Sequence, residues 1–275
     1  MTIKESAILL DNGFRVGVSQ VGEGVPLVFL HGLSVSSRAY EELLYALAAR
    51  GFAVTAIDAP NHGRSDSLPW GHSVSDMANV VAHAVGKLDF AQPPVIVGHS
   101  MGGAIAAEVA AMYPWMVSGL VLLDAAVGPT FHESIQVGPK RTLVVRAAEK
   151  LGGAVRDVAA DGYRALRGRS ASENLSLFQT LRQGLSSLRF IRAARALVEY
   201  DSADSLKSIP GHGIPAVVIH GQLDQIVPLQ AGREAANAVQ GHIFIMAGAY
   251  HSWMLAAPEL GAQVIRVGIH VATER

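Results

Sequence analysis

The stretch VIVGHSMGGAIAAEVA, residues 95–110, sets one hydroxyl, Ser100, among Gly98, Gly102 and Gly103, where a strand-like run becomes a helix-like run. The Gly-x-Ser-x-Gly spacing alone is a weak signal. Its context gives it weight, because a sharp strand-to-helix corner strains the serine backbone and presents its Oγ. A serine hydroxyl becomes a useful nucleophile only when a base takes its proton and a third group orients that base. Two later strand-like runs are followed by suitable side chains, Asp224 in HGQLDQIVP and His251 in AGAYHSWM. At the carboxyl ends of parallel strands, both would reach a common crevice. Charge developing on a substrate oxygen needs fixed donors. HGL, residues 31–33, follows the strand-like PLVFL, so the main-chain N–H groups of Leu33 and Met101 could form an oxyanion hole. Such a set of groups would suit acyl transfer through a serine.

Other residues compete for these roles. His242 opens a strand-like run and His270 lies in a terminal helical pattern, which suits structural or surface roles better than that of a base. His31 and His99 flank the site as structural or substrate-lining residues, and Trp70 and Trp253 are further lining candidates. Eleven histidines raise the question of metal. The chain has no H-x-H or HExxH spacing, so no catalytic metal is expected. No phosphate-binding glycine pattern is present, and the acyl chemistry requires no cofactor.

These side chains must be held by a regular scaffold. SAILL, Asp11-Asn12-Gly13 and FRVGVSQV read as a hairpin. PLVFL, FAVTAI, PPVIVGHS, GLVLLDA, AVVIHG and HIFIMAG are short apolar runs separated by helical patterns. That alternation predicts a parallel sheet in an α/β domain. YEELLYALAARG should be a helix stopped at Gly51, and SVSDMANVVAHAVGKL a helix capped by Ser73 or Ser75 with Asp76 early in it. After Asp124 the rhythm turns helical: Leu175, Phe178, Leu181, Leu185, Leu188 and Ile191 recur at spacings of three and four. The expected organisation is a core of residues 1–124 and 213–275 interrupted by a helical insertion, 125–212.

Composition narrows the function classes. Half of the 275 residues are apolar and 16% are charged, enough for a large core. A formal charge of −1 gives no footprint for nucleic acid. The insertion carries 13 Lys and Arg against 8 Asp and Glu, so it is locally basic. Arg189, Arg192 or Arg195 could meet an anionic substrate group, or could lie on a solvated helix face or dock the insertion on an acidic core. Cysteine is absent, which removes disulfides and thiolate chemistry. No apolar run approaches a membrane span, and MTIKESAILLDNG lacks a basic lead and apolar stretch, so a cytoplasmic location is expected. The sequence sets no oligomeric state.

Taken in order, LVFLHG, DAPNHGRSD, VGHSMGG, HGQLDQIVP and AGAYHSWMLAAPE resemble the α/β-hydrolase superfamily over nearly the whole chain. The resemblance implies a mostly parallel eight-stranded sheet with a helical cap entering after the sixth strand, placed at GLVLLDA. It implies nucleophile Ser100, acid Asp224, base His251 and donors Leu33 and Met101, acting on a small-molecule ester. Lactones, thioesters, amides, carbon–carbon bonds, perhydrolysis and acyl transfer share the scaffold, as does a ligand sensor with negligible turnover. Some members carry the acid after the sixth strand, which makes Asp124 the rival of Asp224. Pro60-Asn61-His62-Gly63 departs from the usual segment after the fourth strand, a mainly structural position.

Overall fold

The computed structural model describes residues 1–136 and 189–274. The chain begins with the expected hairpin, β1 (Lys4–Leu9) pairing antiparallel with β2 (Arg15–Val21). At its turn Gly13 adopts φ 80°, and the Asn12 side chain accepts the Phe14 N–H at 3.0 Å. Six strands follow: β3 (Val25–Leu30), β4 (Phe52–Ile57), β5 (Val95–His99), β6 (Gly119–Leu123), β7 (Ala216–Gly221) and β8 (His242–Met246). They join the hairpin in one sheet ordered β1-β2-β4-β3-β5-β6-β7-β8. From β4 to β8 every pairing is parallel, and β2 meets β4 antiparallel.

Helices cover both faces, which is why β3, β5, β6 and β7 are nearly continuous apolar runs rather than alternating ones. Within β3, Leu27 and Phe29 point to one face and Val28 and Leu30 to the other, as a period of two dictates. The first pair packs with α1 (Glu41–Ala48) and the C-terminal α9 (Pro258–Thr273) through Leu43, Leu47 and Ile265. The second packs with α2 (Val74–Gly86), α3 (Met101–Met112) and α7 (Leu229–Ala238) through Val81, Ile105 and Ala235.

Local signals set the helix ends. Ser73, not Ser75, caps α2 in a reciprocal box: its Oγ accepts the Asp76 N–H at 3.1 Å, and the Asp76 carboxylate accepts the Ser73 N–H at 2.7 Å. Ser75 lies inside the first turn and donates to Glu108 of α3 at 2.5 Å. Gly51 follows α1 with φ 88°, a left-handed stop that glycine adopts without strain.

Between β6 and β7 the described residues are helical: α4 (Pro129–Gln136), α5 (Phe190–Glu199) and α6 (Ala203–Ser208). The expected insertion limits, 124/125 and 212/213, fall just after β6 and just before β7. Leu175, Phe178, Leu181, Leu185 and Leu188 lie outside the described residues, whereas Ile191 is an exposed residue of α5. The buried Glu108 carboxylate ties α5–α6 to the core, accepting the Tyr200 hydroxyl at 2.9 Å and the Ser205 hydroxyl. Among the described residues no helix is long and apolar enough to cross a membrane.

Candidate active site

Strand order locates the site. The chain runs from β3 outward to β4, then returns to place β5 on the other side of β3. At such a reversal the loops leaving adjacent strands diverge and open a crevice at their carboxyl ends. Leu30 of β3 lies beside Gly98 of β5, so HGL and GHS leave the sheet side by side.

Ser100 caps α3 with φ 54° and ψ −120°, a conformation side-chain-bearing residues rarely hold. The surrounding glycines explain how the corner is enforced. A Cβ on Gly98 would lie 2.3 Å from the Gly102 carbonyl oxygen, and one on Gly102 would lie 2.2 Å from that of Leu30. A Cβ on Gly103 would meet the Ala125 methyl at 2.3 Å. Here glycine serves close backbone approach, not turn flexibility. The end of β6 steadies the corner: the Ser100 N–H donates to Leu123 O at 3.1 Å, and Ala126 N–H donates to Ser100 O at 2.9 Å.

The HGL loop is held residue by residue. Gly32 N–H donates to the Tyr40 hydroxyl at 3.2 Å, and Ser34 N–H donates to His62 Nε2 at 3.3 Å. The amides on either side of Leu33 are therefore pinned. Met101 is the first residue of α3, where an N–H has no carbonyl one turn back to bond. His31 and His62 build this loop. His31 Nδ1–H donates to Gly32 O at 2.8 Å while its Nε2 accepts Ala59 N–H at 2.9 Å. His62 Nδ1–H donates to Pro60 O at 3.0 Å. Each ring thus has a fixed neutral tautomer. Burial pulls the pKa of His31 down, and burial together with neighbouring His31 pulls that of His62 down to about 3.

On the other side, the loops after β7 and β8 bring Asp224 and His251 together. His251 Nδ1–H donates to Asp224 Oδ2 at 2.7 Å. The second carboxylate oxygen accepts the N–H groups of Ile226 and Val227 at 2.8 and 2.9 Å, which fixes the plane of the acid. Burial alone would raise the Asp224 pKa. The adjacent His251 and these donors outweigh it and hold the group below its ordinary value. His220 stands behind the pair, with Nε2 bonded to Val227 O at 3.0 Å and 3.5 Å from Asp224 Oδ2.

Asp124 occupies a different role. Its Oδ1 accepts Gly221 N–H at 2.7 Å and its Oδ2 accepts the Trp253 indole N–H at 2.9 Å. It joins β6, β7 and the segment after β8, while Asp224 partners the histidine. Asp124, His220 and Asp224 could in principle share a metal ion, since their ligand atoms lie within 4.8 Å of one another. The protein hydrogen bonds just described already engage both carboxylates and His220 Nε2, so the cluster reads as a buried polar network.

The remaining sequence candidates separate sharply. His31 and His99 are buried with both ring nitrogens bonded to protein groups, so neither lines an open surface. Trp253, which opens α8 (Trp253–Ala256), is buried on Asp124, whereas Trp70 is 59% exposed with the Arg192 guanidinium 5.4 Å above its ring. Two of the three arginines, Arg189 and Arg192, dock the insertion, and Arg195 does not. Arg189 donates to Ser65 O and Gly63 O at 3.0 and 2.8 Å, Arg192 to Leu68 O at 3.0 Å, and Arg195 pairs with Glu199 at 3.0 Å. His242 opens β8, and His270 in α9 pairs with Glu274 at 3.0 Å. Sequence reasoning missed Tyr40, His220 and the ring contacts of His62. His220 and His62 each stand before a glycine, whereas nothing around Tyr40 in SSRAYEELL marks it.

A profile of the alpha/beta hydrolase family matches residues 27–264. The chain belongs to that family. As an alpha/beta hydrolase it is 50% identical over 267 residues to a putative non-heme haloperoxidase of Mycobacterium phage D29, covering 97% of this chain and 95% of that protein. Among solved structures, this hydrolase superposes with a TM-score of 0.75 on an esterase from Rhodococcus sp. ECU1013. The two are 26% identical, with 98% and 99% of the chains covered. An esterase from Exiguobacterium antarcticum shares the fold at a TM-score of 0.76 and 20% identity, over 97% of this chain and 100% of that one.

Proposed function

We propose that the protein is a serine hydrolase that cleaves carboxylic esters through an acyl-enzyme on Ser100. The observation that carries this reading is the 2.7 Å bond from His251 Nδ1–H to a buried Asp224, on loops that leave the same carboxyl edge of the sheet as a serine held at φ 54°. With Nδ1 committed, Nε2 of the neutral ring is the basic nitrogen. Ser100 Oγ attacks the ester carbonyl as His251 Nε2 takes its proton, and Asp224 stabilises the resulting imidazolium. The N–H groups of Leu33 and Met101 receive the tetrahedral oxyanion, with donors of this kind contributing about 10²–10³-fold in turnover. His251 returns the proton to the departing alcohol, then activates the water that releases the acid. The insertion of residues 125–212 serves as the cap and sets acyl size.

The name of the 50% identical relative supports a second reading on the same acyl-enzyme. Hydrogen peroxide replacing water at deacylation would release a peracid and free Ser100. Both readings require the nucleophile. Fluorophosphonate labelling and turnover of p-nitrophenyl acetate and butyrate, each compared with Ser100→Ala, test it. Labelling and multiple turnover lost in the variant support the reading. Unlabelled wild-type protein, or equal turnover in both, overturns it. Adding peroxide and assaying peracid separates the two acceptors.

A further inference from the structure

His99 precedes Ser100, yet it is 2% exposed and its ring faces the interior. Its Nε2 lies 2.9 Å from the His251 carbonyl oxygen, which can only accept, so Nε2 carries the proton. Nδ1 of the same neutral ring is then an acceptor. It receives the Tyr40 hydroxyl at 2.7 Å, and that oxygen in turn receives Gly32 N–H at 3.2 Å. Every donor and acceptor along this chain is assigned by elimination. The rings also touch: centroids of His99 and His251 are 4.9 Å apart at 44°, and those of Tyr40 and His99 are 5.7 Å apart. Gly32 fits against the chain because it lacks a Cβ, which would sit 3.0 Å from His99 Nδ1 and 3.3 Å from both Ser100 Cβ and the Tyr40 oxygen.

From this geometry we propose that His99 and Tyr40 are positioning residues, a hydrogen-bonded bridge that fixes the His251 loop relative to the Gly32–Leu33 loop across the base of Ser100. The three loops leave different strands, β3, β5 and β8, and the bridge runs through all of them. Burial, reinforced by His251, keeps His99 neutral with a pKa pulled down to about 3, so its donor and acceptor assignment persists over the working range. Asp224 and His31 are the other titratable groups acting on it, and their influences oppose each other.

The kinetic consequence rests on the ester-hydrolase reading, whereas the spectroscopic one does not. His99→Phe keeps a flat ring but removes both bonds, and His99→Gln retains one donor and one acceptor. A misplaced base of this kind costs up to ~10²-fold. In His99→Phe, kcat for p-nitrophenyl butyrate per fluorophosphonate-titrated site should fall about 10–100-fold with KM changing less than about threefold. His99→Gln should recover most of it. Tyr40→Phe should add little to the loss in the His99→Phe background, because both act through one bridge. By proton NMR, the His251 Nδ1–H resonance should shift or broaden in His99→Phe and be retained in His99→Gln. Unchanged kcat per labelled site and an unchanged resonance in His99→Phe, or a Gln variant no better than Phe, would overturn the bridge. If the wild-type protein neither labels nor turns over, the resonance alone decides it, and only the ester reading fails.

Discussion

Gly102→Ala tests whether the glycines around Ser100 exist for close approach. The added methyl carbon would lie 2.2 Å from Leu30 O, 2.5 Å from the Leu30 carbonyl carbon and 2.7 Å from His31 O. Contacts under 3.0 Å are ones that real Cβ atoms essentially never show, so α3 and the end of β3 must separate by several tenths of an ångström or more. All three contacts are backbone, and no side chain can rotate away. Overpacking of this kind costs about 1–3 kcal/mol. For a chain of this size that converts to about 2 °C in Tm per kcal/mol, a fall of about 2–6 °C. Activity should suffer more than stability, because the same movement drives the Met101 N–H away from the Leu33 loop. Misplacement by about 1 Å costs on the order of 10²-fold in kcat. Gly211→Ala is the control. Nothing lies within 4 Å of the place its added methyl would take and its φ is not left-handed, so that variant should be neutral or up to about 1 kcal/mol more stable. Thermal melts and ester turnover on the three proteins decide the matter. A Gly102→Ala protein with the Tm and kcat of wild type would refute the close-approach argument.

Three more outcomes are expected. His62 and His99, buried with pKa values near 3, bind a proton only after unfolding, so stability is full above pH 6.5 and declines as pH falls toward 3. The two together should cost on the order of 3 kcal/mol per pH unit in that window, and urea midpoints that stay constant from pH 7 to pH 5 would contradict this. Asp224→Asn should lower kcat by about 10⁴-fold, while Asp124→Asn should leave kcat within about tenfold and lower stability by about 1–3 kcal/mol, because its two buried donors lose a charged acceptor. The reverse pattern in kinetics and melts would exchange their roles. A double-mutant cycle of Arg192→Ala with Trp70→Ala should give a coupling of about 0.5–1 kcal/mol in chemical denaturation, as suits a half-exposed stacked pair. Zero coupling would show that the contact does not hold the insertion.

The sheet was legible in the sequence because buried parallel strands leave short apolar runs that no exposed loop imitates, as in VIV before Gly98 and GLVLL before Asp124. The end of β7 was legible for the same reason, and β8, though not buried, still showed as the apolar run HIFIM, so the approach of Asp224 and His251 could be anticipated. Chain order could not choose between Ser73 and Ser75, because both stand near the start of one helical pattern; the Asp76 carboxylate decides it by completing a box with Ser73. Nor could it distinguish a histidine lining a pocket from one whose two nitrogens knit loops together. His31, His62 and His99 bond to groups distant in sequence, and periodicity carries no trace of such partners. The charge balance showed that the insertion is basic. It could not show that Arg189 and Arg192 spend their donors on backbone carbonyls of residues 63–68.

Ser100 grows from the middle of the sheet, whereas His251 follows β8, which among the described residues is an edge strand paired with β7 and nowhere fully buried. Heat should therefore silence this molecule in two stages: the rim that carries the imidazole works loose while the central hydroxyl keeps its contorted shape. Below the melting temperature such losses should reverse on cooling, and amide exchange in residues 242–251 should outpace that in residues 95–105, as hydrogen-exchange measurements would show.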